Sequence, residues 1–129
     1  MVVVDASTLL EMLLNRPRAE DVRHRLRDAN VNAPHLIDVE VLHVLRRYAL
    51  SGDIDEVRAH KAMLHHADLP IERHSHDPLI RLVWKLRENF TAYDATYVAL
   101  AVVLRAPLIT SDVRLARAAS VFLPVEVFA

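Results

Sequence analysis

Met1-Val2-Val3-Val4-Asp5-Ala6-Ser7-Thr8-Leu9-Leu10 opens the chain. Three consecutive β-branched valines read as a buried strand. The strand stops at Asp5-Ala6-Ser7, and residues 8–14 read as a helix with Ser7 as its N-cap. A strand apolar at every position has no face left for water. Such strands belong to parallel sheets covered by helices on both sides.

Beyond this opening the same alternation recurs. Pro17 separates the first helix from a second over about 18–29, and residues 31–33 form a second short strand. Pro34 permits a new helix start, and residues 36–50 carry Leu36, Ile37, Val41, Val44, Leu45 and Tyr48 at helical spacing. Ser51-Gly52-Asp53, which holds the only glycine, ends that helix and caps the next, 54–67. Residues 69–73 read as a strand, His76-Asp77-Pro78 opens a helix to about 88, and a further helix spans 92–104. Pro107 breaks it. Residues 108–110 form a strand, 113–119 a helix, and 121–128 a last strand. The predicted fold is α/β: a three-layer α/β/α arrangement around a short central parallel sheet, with residues 1–129 as a single domain.

The composition agrees. Hydrophobic residues make up 53% of the chain and charged residues 26%, which suits a packed globule rather than a disordered segment. With no cysteine, a disulfide framework and thiolate metal sites are excluded, and a reducing, cytoplasmic setting is expected. No basic-then-apolar leader is visible, and no apolar run is long enough to span a bilayer, so no membrane association is expected. A formal net charge of −1 provides no global field for a polyanion. Phosphate binding would need local basic patches, or metal ions bridging acids to phosphate.

The placement of four acids is informative. Asp5 directly follows the first strand, and Asp112 follows the strand 108–110 by two residues. Ligands of open α/β sheets bind beyond the carboxyl ends of strands. Each acid has hydroxyls nearby, Ser7 and Thr8 for the first, Thr110 and Ser111 for the second. Capping of the following helices accounts for either acid taken alone. Glu40 and Asp94 lie on largely apolar helical faces: Leu36, Ile37 and Val44 neighbour the first, Phe90, Tyr97 and Val98 the second. An ionised carboxylate on a buried face needs a partner, either an arginine such as Arg46 or Arg81, or a cation. Four acids gathered at one sheet edge would repel one another. A hard divalent cation removes that repulsion, and oxygen ligands without cysteine favour Mg²⁺ or Mn²⁺ over zinc. Such an ion suits attack on a phosphodiester.

These residues carry a family resemblance. Met1-Val-Val-Val-Asp5-Ala-Ser7, Asp38-Val39-Glu40-Val41, Thr91-Ala-Tyr-Asp94-Ala-Thr-Tyr-Val-Ala-Leu-Ala101 and Leu108-Ile-Thr110-Ser-Asp112 resemble, in order, the four acidic motifs of PIN domains. More narrowly, the chain resembles VapC-type toxins of toxin–antitoxin pairs over essentially its whole length. The resemblance implies a PIN fold and metal-dependent endoribonuclease activity on RNA with Mg²⁺ or Mn²⁺. It also implies a homodimer and a cognate VapB-type antitoxin whose C-terminal segment occupies the acidic site. Asp5, Glu40, Asp94 and Asp112 match the family's catalytic, metal-holding acids. Ser7 and Thr110 match the hydroxyls that support them at the cofactor site. In this reading Asp5, Asp94 and Asp112 hold the metal directly or through water, while Glu40 helps bind it and orients the attacking water.

Eight histidines lack metal-site spacing and are expected on the solvated surface. Basic residues near the predicted site edges are Arg16, Arg18, Arg46, Arg47, Arg114 and Arg117. Asp5-Ala6-Ser7-Thr8 partly resembles the nucleophile loop of haloacid-dehalogenase-like phosphatases, but Ser7 stands where that loop has a second Asp. A non-catalytic binding or dimerisation module, and a PIN nuclease acting on a substrate other than RNA, are the remaining alternatives.

Overall fold

The computed structural model describes residues 1–129. Five strands form one sheet: β1 (Val2–Val4), β2 (Val31–Pro34), β3 (Ile71–His74), β4 (Leu108–Thr110) and β5 (Val125–Val127). Their order is β3-β2-β1-β4-β5, and every neighbouring pair is parallel. Seven helices connect them: α1 (Ala6–Leu13), α2 (Ala19–Leu26), α3 (Leu36–Ser51), α4 (Glu56–Asp68), α5 (Ile80–Lys85), α6 (Ala92–Leu104) and α7 (Val113–Ala119). The three-layer α/β/α expectation holds. No helix is long and apolar enough to cross a membrane.

β1 takes the centre of the sheet, and its three valines are each 2% exposed or less. Burying each side chain contributes roughly 1.5–3 kcal/mol relative to leaving it in water. Val3 faces Asn32 on one side and Leu108 on the other. From β1 the chain builds outward to β2 and β3, then returns to place β4 on β1's opposite flank. The strand order therefore reverses between β1 and β4, and open α/β sheets bind ligands beyond the carboxyl ends of the strands at such a point.

α6 behaves as a core element: all residues from Ala95 to Ala101 are buried, so it is apolar around most of its girth. Gly52, at φ +83°, ends α3 in the left-handed conformation that glycine adopts without steric cost. Arg105 ends α6 in the same region, at φ +53°.

Several local expectations are corrected. Asp5, not Ser7, caps α1, its extended backbone letting the carboxylate accept from Thr8 N at 3.0 Å. Asp55, not Asp53, caps α4. The predicted helix 76–88 divides into a 3-10 turn, Asp77–Leu79, and the short α5. The last strand begins at Val125, because Phe122 and Leu123 turn their amides back to the Ala119 carbonyl and extend α7's final turn. The histidines are not simply solvated. His66 is buried and bonds to Asp38 at 2.7 Å, His74 Nε2 bonds to the buried Asn32 at 2.8 Å, and Leu36 N donates to His76 Nε2 at 3.0 Å. The first and last of these bonds tie the start of α3 to α4 and to the turn after β3.

Candidate active site

The crevice between β1 and β4 is organised around Asp5. It is 5% exposed, and five hydrogen bonds converge on its two carboxylate oxygens. Oδ1 accepts from Ser7 Oγ at 2.8 Å, Thr8 N at 3.0 Å and Thr8 Oγ1 at 3.0 Å. Oδ2 accepts from Ser7 Oγ at 2.9 Å and Thr110 Oγ1 at 2.6 Å. Ser7 and Thr110, the two predicted supporting hydroxyls, thus both act on Asp5. Burial pushes the Asp5 carboxyl above the usual carboxylate range, and the bonds from Thr110, Ser7 and Thr8 oppose that rise.

The second strand end is stitched to the first. Ser111 N donates to Ser7 Oγ at 3.0 Å, and Asp112 N donates to Thr110 Oγ1 at 3.0 Å. Asp112 caps α7: Arg114 N and Leu115 N both donate to Oδ1, which leaves Oδ2 clear of protein donors. Asp5 and Asp112 are therefore helix caps, in keeping with their positions ahead of helices, and they sit at the crevice as well.

Glu40, from the second turn of α3, and Asp94, from the first turn of α6, approach from the sides. Both are partly buried, and neither forms an ion pair. Arg46 and Arg81, the arginines considered as their partners, form no ion pair at all. Burial raises the Glu40 carboxyl, and the charges of Asp5 and Asp94 raise it further. Burial also raises Asp94, with Asp112 adding to the rise and Arg114 opposing it. Asp5 and Asp94 thus act on Glu40, and Asp112 acts on Asp94.

Tyr97, one turn beyond Asp94 on α6, reads from the sequence only as an apolar neighbour. Its hydroxyl stands beside Glu40, close enough to favour the ionised carboxylate but outside hydrogen-bond geometry. Burial, followed by Glu40, Asp5 and Asp94, holds the phenol far above its ordinary range. Four buried side-chain atoms in the chain lack a hydrogen-bond partner, and three belong to this region: Glu40 Oε1, the Tyr97 hydroxyl and Ser111 Oγ. Buried polar atoms are normally satisfied, so each of these calls for a water or ion as its partner. The donor set is all oxygen, which suits a hard divalent cation. It is not a closed cage, since no three acidic or histidine side chains converge on one point at ligand distance. Mg²⁺ fits such an open set, because it keeps several waters and takes few direct protein ligands.

Comparison with known proteins agrees with this geometry. The PIN-domain family model matches residues 2–121. Ribonuclease VapC1 of Mycobacterium tuberculosis is 45% identical over 127 residues, covering 97% of this chain and 94% of that protein. Ribonuclease VapC9 of the same species is 35% identical, covering 98% of each. Among solved structures, PAE2754 from Pyrobaculum aerophilum superposes with a TM-score of 0.73 at 22% identity, over 98% of this chain and 83% of that one. A toxin–antitoxin complex from Klebsiella pneumoniae gives 0.64 at 17% identity, over 87% of each. At those identities the two structures speak for the fold alone. With its sheet order, its acids at the β1/β4 switch point and a family match over nearly the full chain, this protein belongs to the PIN-domain family.

Proposed function

We propose that this chain is a VapC-type endoribonuclease that hydrolyses RNA phosphodiester bonds with Mg²⁺ or Mn²⁺. The observation that carries the proposal is the buried, unpartnered Glu40 Oε1 in a set of four acids, none of which forms an ion pair with an arginine. The ribonuclease names of relatives at 45% and 35% identity support it.

Asp94, Glu40 and Asp112 would hold the ion, for each presents a carboxylate oxygen that no protein donor occupies. Asp5 completes the set. Ser7 has one proton for the two Asp5 oxygens it touches, so committing that proton to Oδ1 leaves Oδ2 with the Thr110 bond alone and room for a cation. Thr110 keeps the Asp5 carboxylate in place while this happens. When bound, the ion would supply positive charge against the scissile phosphate and lower the pKa of an attacking water. Glu40 would also orient the attacking water. The ion also answers the charge problem, since a chain of net charge −1 gains its positive centre where the phosphate must bind.

The same reading includes residues 1–129 as one PIN domain, a homodimer, a cytoplasmic setting and a cognate VapB-type antitoxin that covers the acids. The test is cleavage of total RNA by the purified chain with and without Mg²⁺. Cleavage should require the ion and should disappear in Asp94→Asn while the folded spectrum is kept. Metal-independent cleavage, or cleavage that survives Asp94→Asn, would contradict the proposal.

A further inference from the structure

The acid cluster has a second compartment. A cleft of about 500 Å³ opens from Asp94 and is lined by Arg87, Asn89, Phe90, Thr91 and Arg114. Asp94 is therefore the shared wall between the acids and this cleft. Phe90 is buried and makes an apolar wall, while the other four are exposed and present cationic or hydrogen-bonding groups. The volume falls within the range of sites that take a small molecule or a single nucleotide unit.

Neither arginine forms an ion pair. The five ion pairs of the molecule use Arg18, Arg23, Arg25, Arg73 and His66, leaving Arg87 and Arg114 without a carboxylate. Glu88 also lines the cleft and pairs with neither. Arg87 is held in place: its guanidinium lies 4.6 Å over the Trp84 ring and donates to the Trp84 carbonyl at 3.0 Å. Arg114 is placed by the Asp112 cap, which takes its backbone amide, and its charge is felt by Asp94. α6 begins at this cleft with Thr91 as its cap, so the positive end of its dipole lies there too.

We propose that this cleft is the subsite for the nucleotide next to the scissile bond, with Arg114 and Arg87 gripping its phosphate. The inference rests on the nuclease reading of the acids and adds to it the side of the site on which the strand continues. Binding a phosphate in this way orients the substrate and carries no base specificity. The flat, exposed face of an arginine guanidinium can also stack on an unpaired base. The lining sets two cations, Arg87 and Arg114, against two acids, Asp94 and Glu88, and the positive end of the α6 dipole adds to the cationic side.

The test is binding, so that it does not depend on turnover. A fluorescein-labelled single-stranded RNA decamer is titrated with Glu40→Gln protein in Mg²⁺, alone and combined with Arg114→Ala, Arg87→Ala, Arg114→Lys or, outside the cleft, Arg27→Ala. We expect each cleft alanine to weaken binding about 5- to 20-fold at low salt. The slope of log affinity against log salt should become shallower by about 0.7 for each phosphate that is no longer neutralised. Arg114→Lys should keep that slope because the charge is kept, and Arg27→Ala should change nothing. In the parent background, the cleft alanines should raise KM more than they lower kcat. No measurable binding by the Glu40→Gln protein, unchanged affinity and slope in both cleft alanines, or an equal weakening in Arg27→Ala would overturn the subsite. If the slope responds as expected but the parent cleaves no RNA in any divalent ion, the cleft is an RNA phosphate site and the nuclease reading falls.

Discussion

The Thr110 hydroxyl donates to Asp5 Oδ2 at 2.6 Å, joining the last residue of β4 to the first residue after β1. Thr110 is fully buried, so the bond forms away from water, where a charge-assisted contact is strong. One hydroxyl thereby fixes the carboxylate that sits at the point where the strand order reverses. It also accepts from Asp112 N, so two of the four acids depend on its position.

Thr110→Val keeps the shape and removes the donor. We expect a destabilisation of about 1.5–3 kcal/mol in urea unfolding, because the buried Asp5 oxygen is deprived of its shortest bond. Thr110→Ser should recover most of it. Equal stability of the valine variant and the parent would show that Asp5 does not rely on this bond.

Tyr97→Phe should behave in the opposite way. Its hydroxyl is buried without a partner, so removing it should leave the melting temperature of the metal-free protein unchanged or higher. The hydroxyl favours the ionised form of Glu40, so its removal should raise the Glu40 pKa further. The acid limb of the pH–rate profile should then move to higher pH. A limb that stays in place would separate Tyr97 from the proton that Glu40 handles.

The shape of the fold is legible in the sequence because β1 and β4 are short apolar runs and the helices between them carry regular apolar spacing. The acids stand out for a related reason: Glu40 and Asp94 interrupt apolar faces, and Asp5 and Asp112 follow strands. Other features depend on residues far apart in the chain meeting in space. The capping of α1 by Asp5 rather than Ser7 goes with a Ser7 hydroxyl that turns to Asp5 and meets the Ser111 amide. The burial of His66 depends on its meeting Asp38, 28 residues earlier. Arg87 falls within the expected helix 76–88, but α5 ends at Lys85, and the turn that follows brings Arg87 to the cleft shared with Asp94 and Arg114. The last strand is shorter than its apolar run suggests, since Val121 and Phe122 stay exposed in the turn after α7.

Stability should respond to pH and to metal together. Asp5, Glu40 and Asp94 have folded pKa values raised above their unfolded ones, so the folded metal-free protein holds protons that the unfolded chain has released. Their contribution is present below the unfolded carboxylate values and is lost as pH rises through the raised folded ones. A divalent ion binds the ionised groups and reverses that loss. At 100-fold excess over its Kd, Mg²⁺ should raise the melting temperature by roughly 10 °C near pH 8 and by little near pH 4. A metal-induced rise that is the same at both values would contradict this linkage.

Asp38 works in the opposite sense. Burial would raise it, but hydrogen bonds from Arg73 and His66 outweigh that and hold it below the usual range. Its contribution is present above the unfolded value and is lost as pH falls through the folded one. Asp38→Asn should therefore destabilise the protein at pH 7 and converge on the parent in acid. Because Asp38 anchors the start of α3, the variant should also weaken metal binding at Glu40 further along the same helix, which a Mn²⁺ titration would detect.

If the four carboxylates share one divalent ion, crystals grown with Mn²⁺ will reveal it in an anomalous difference map. A peak enclosed by Asp5, Glu40, Asp94 and Asp112, and absent in crystals of Asp94→Asn, is the expected result. Strong Mn²⁺ density elsewhere with none at this position, at saturating metal and neutral pH, would contradict it.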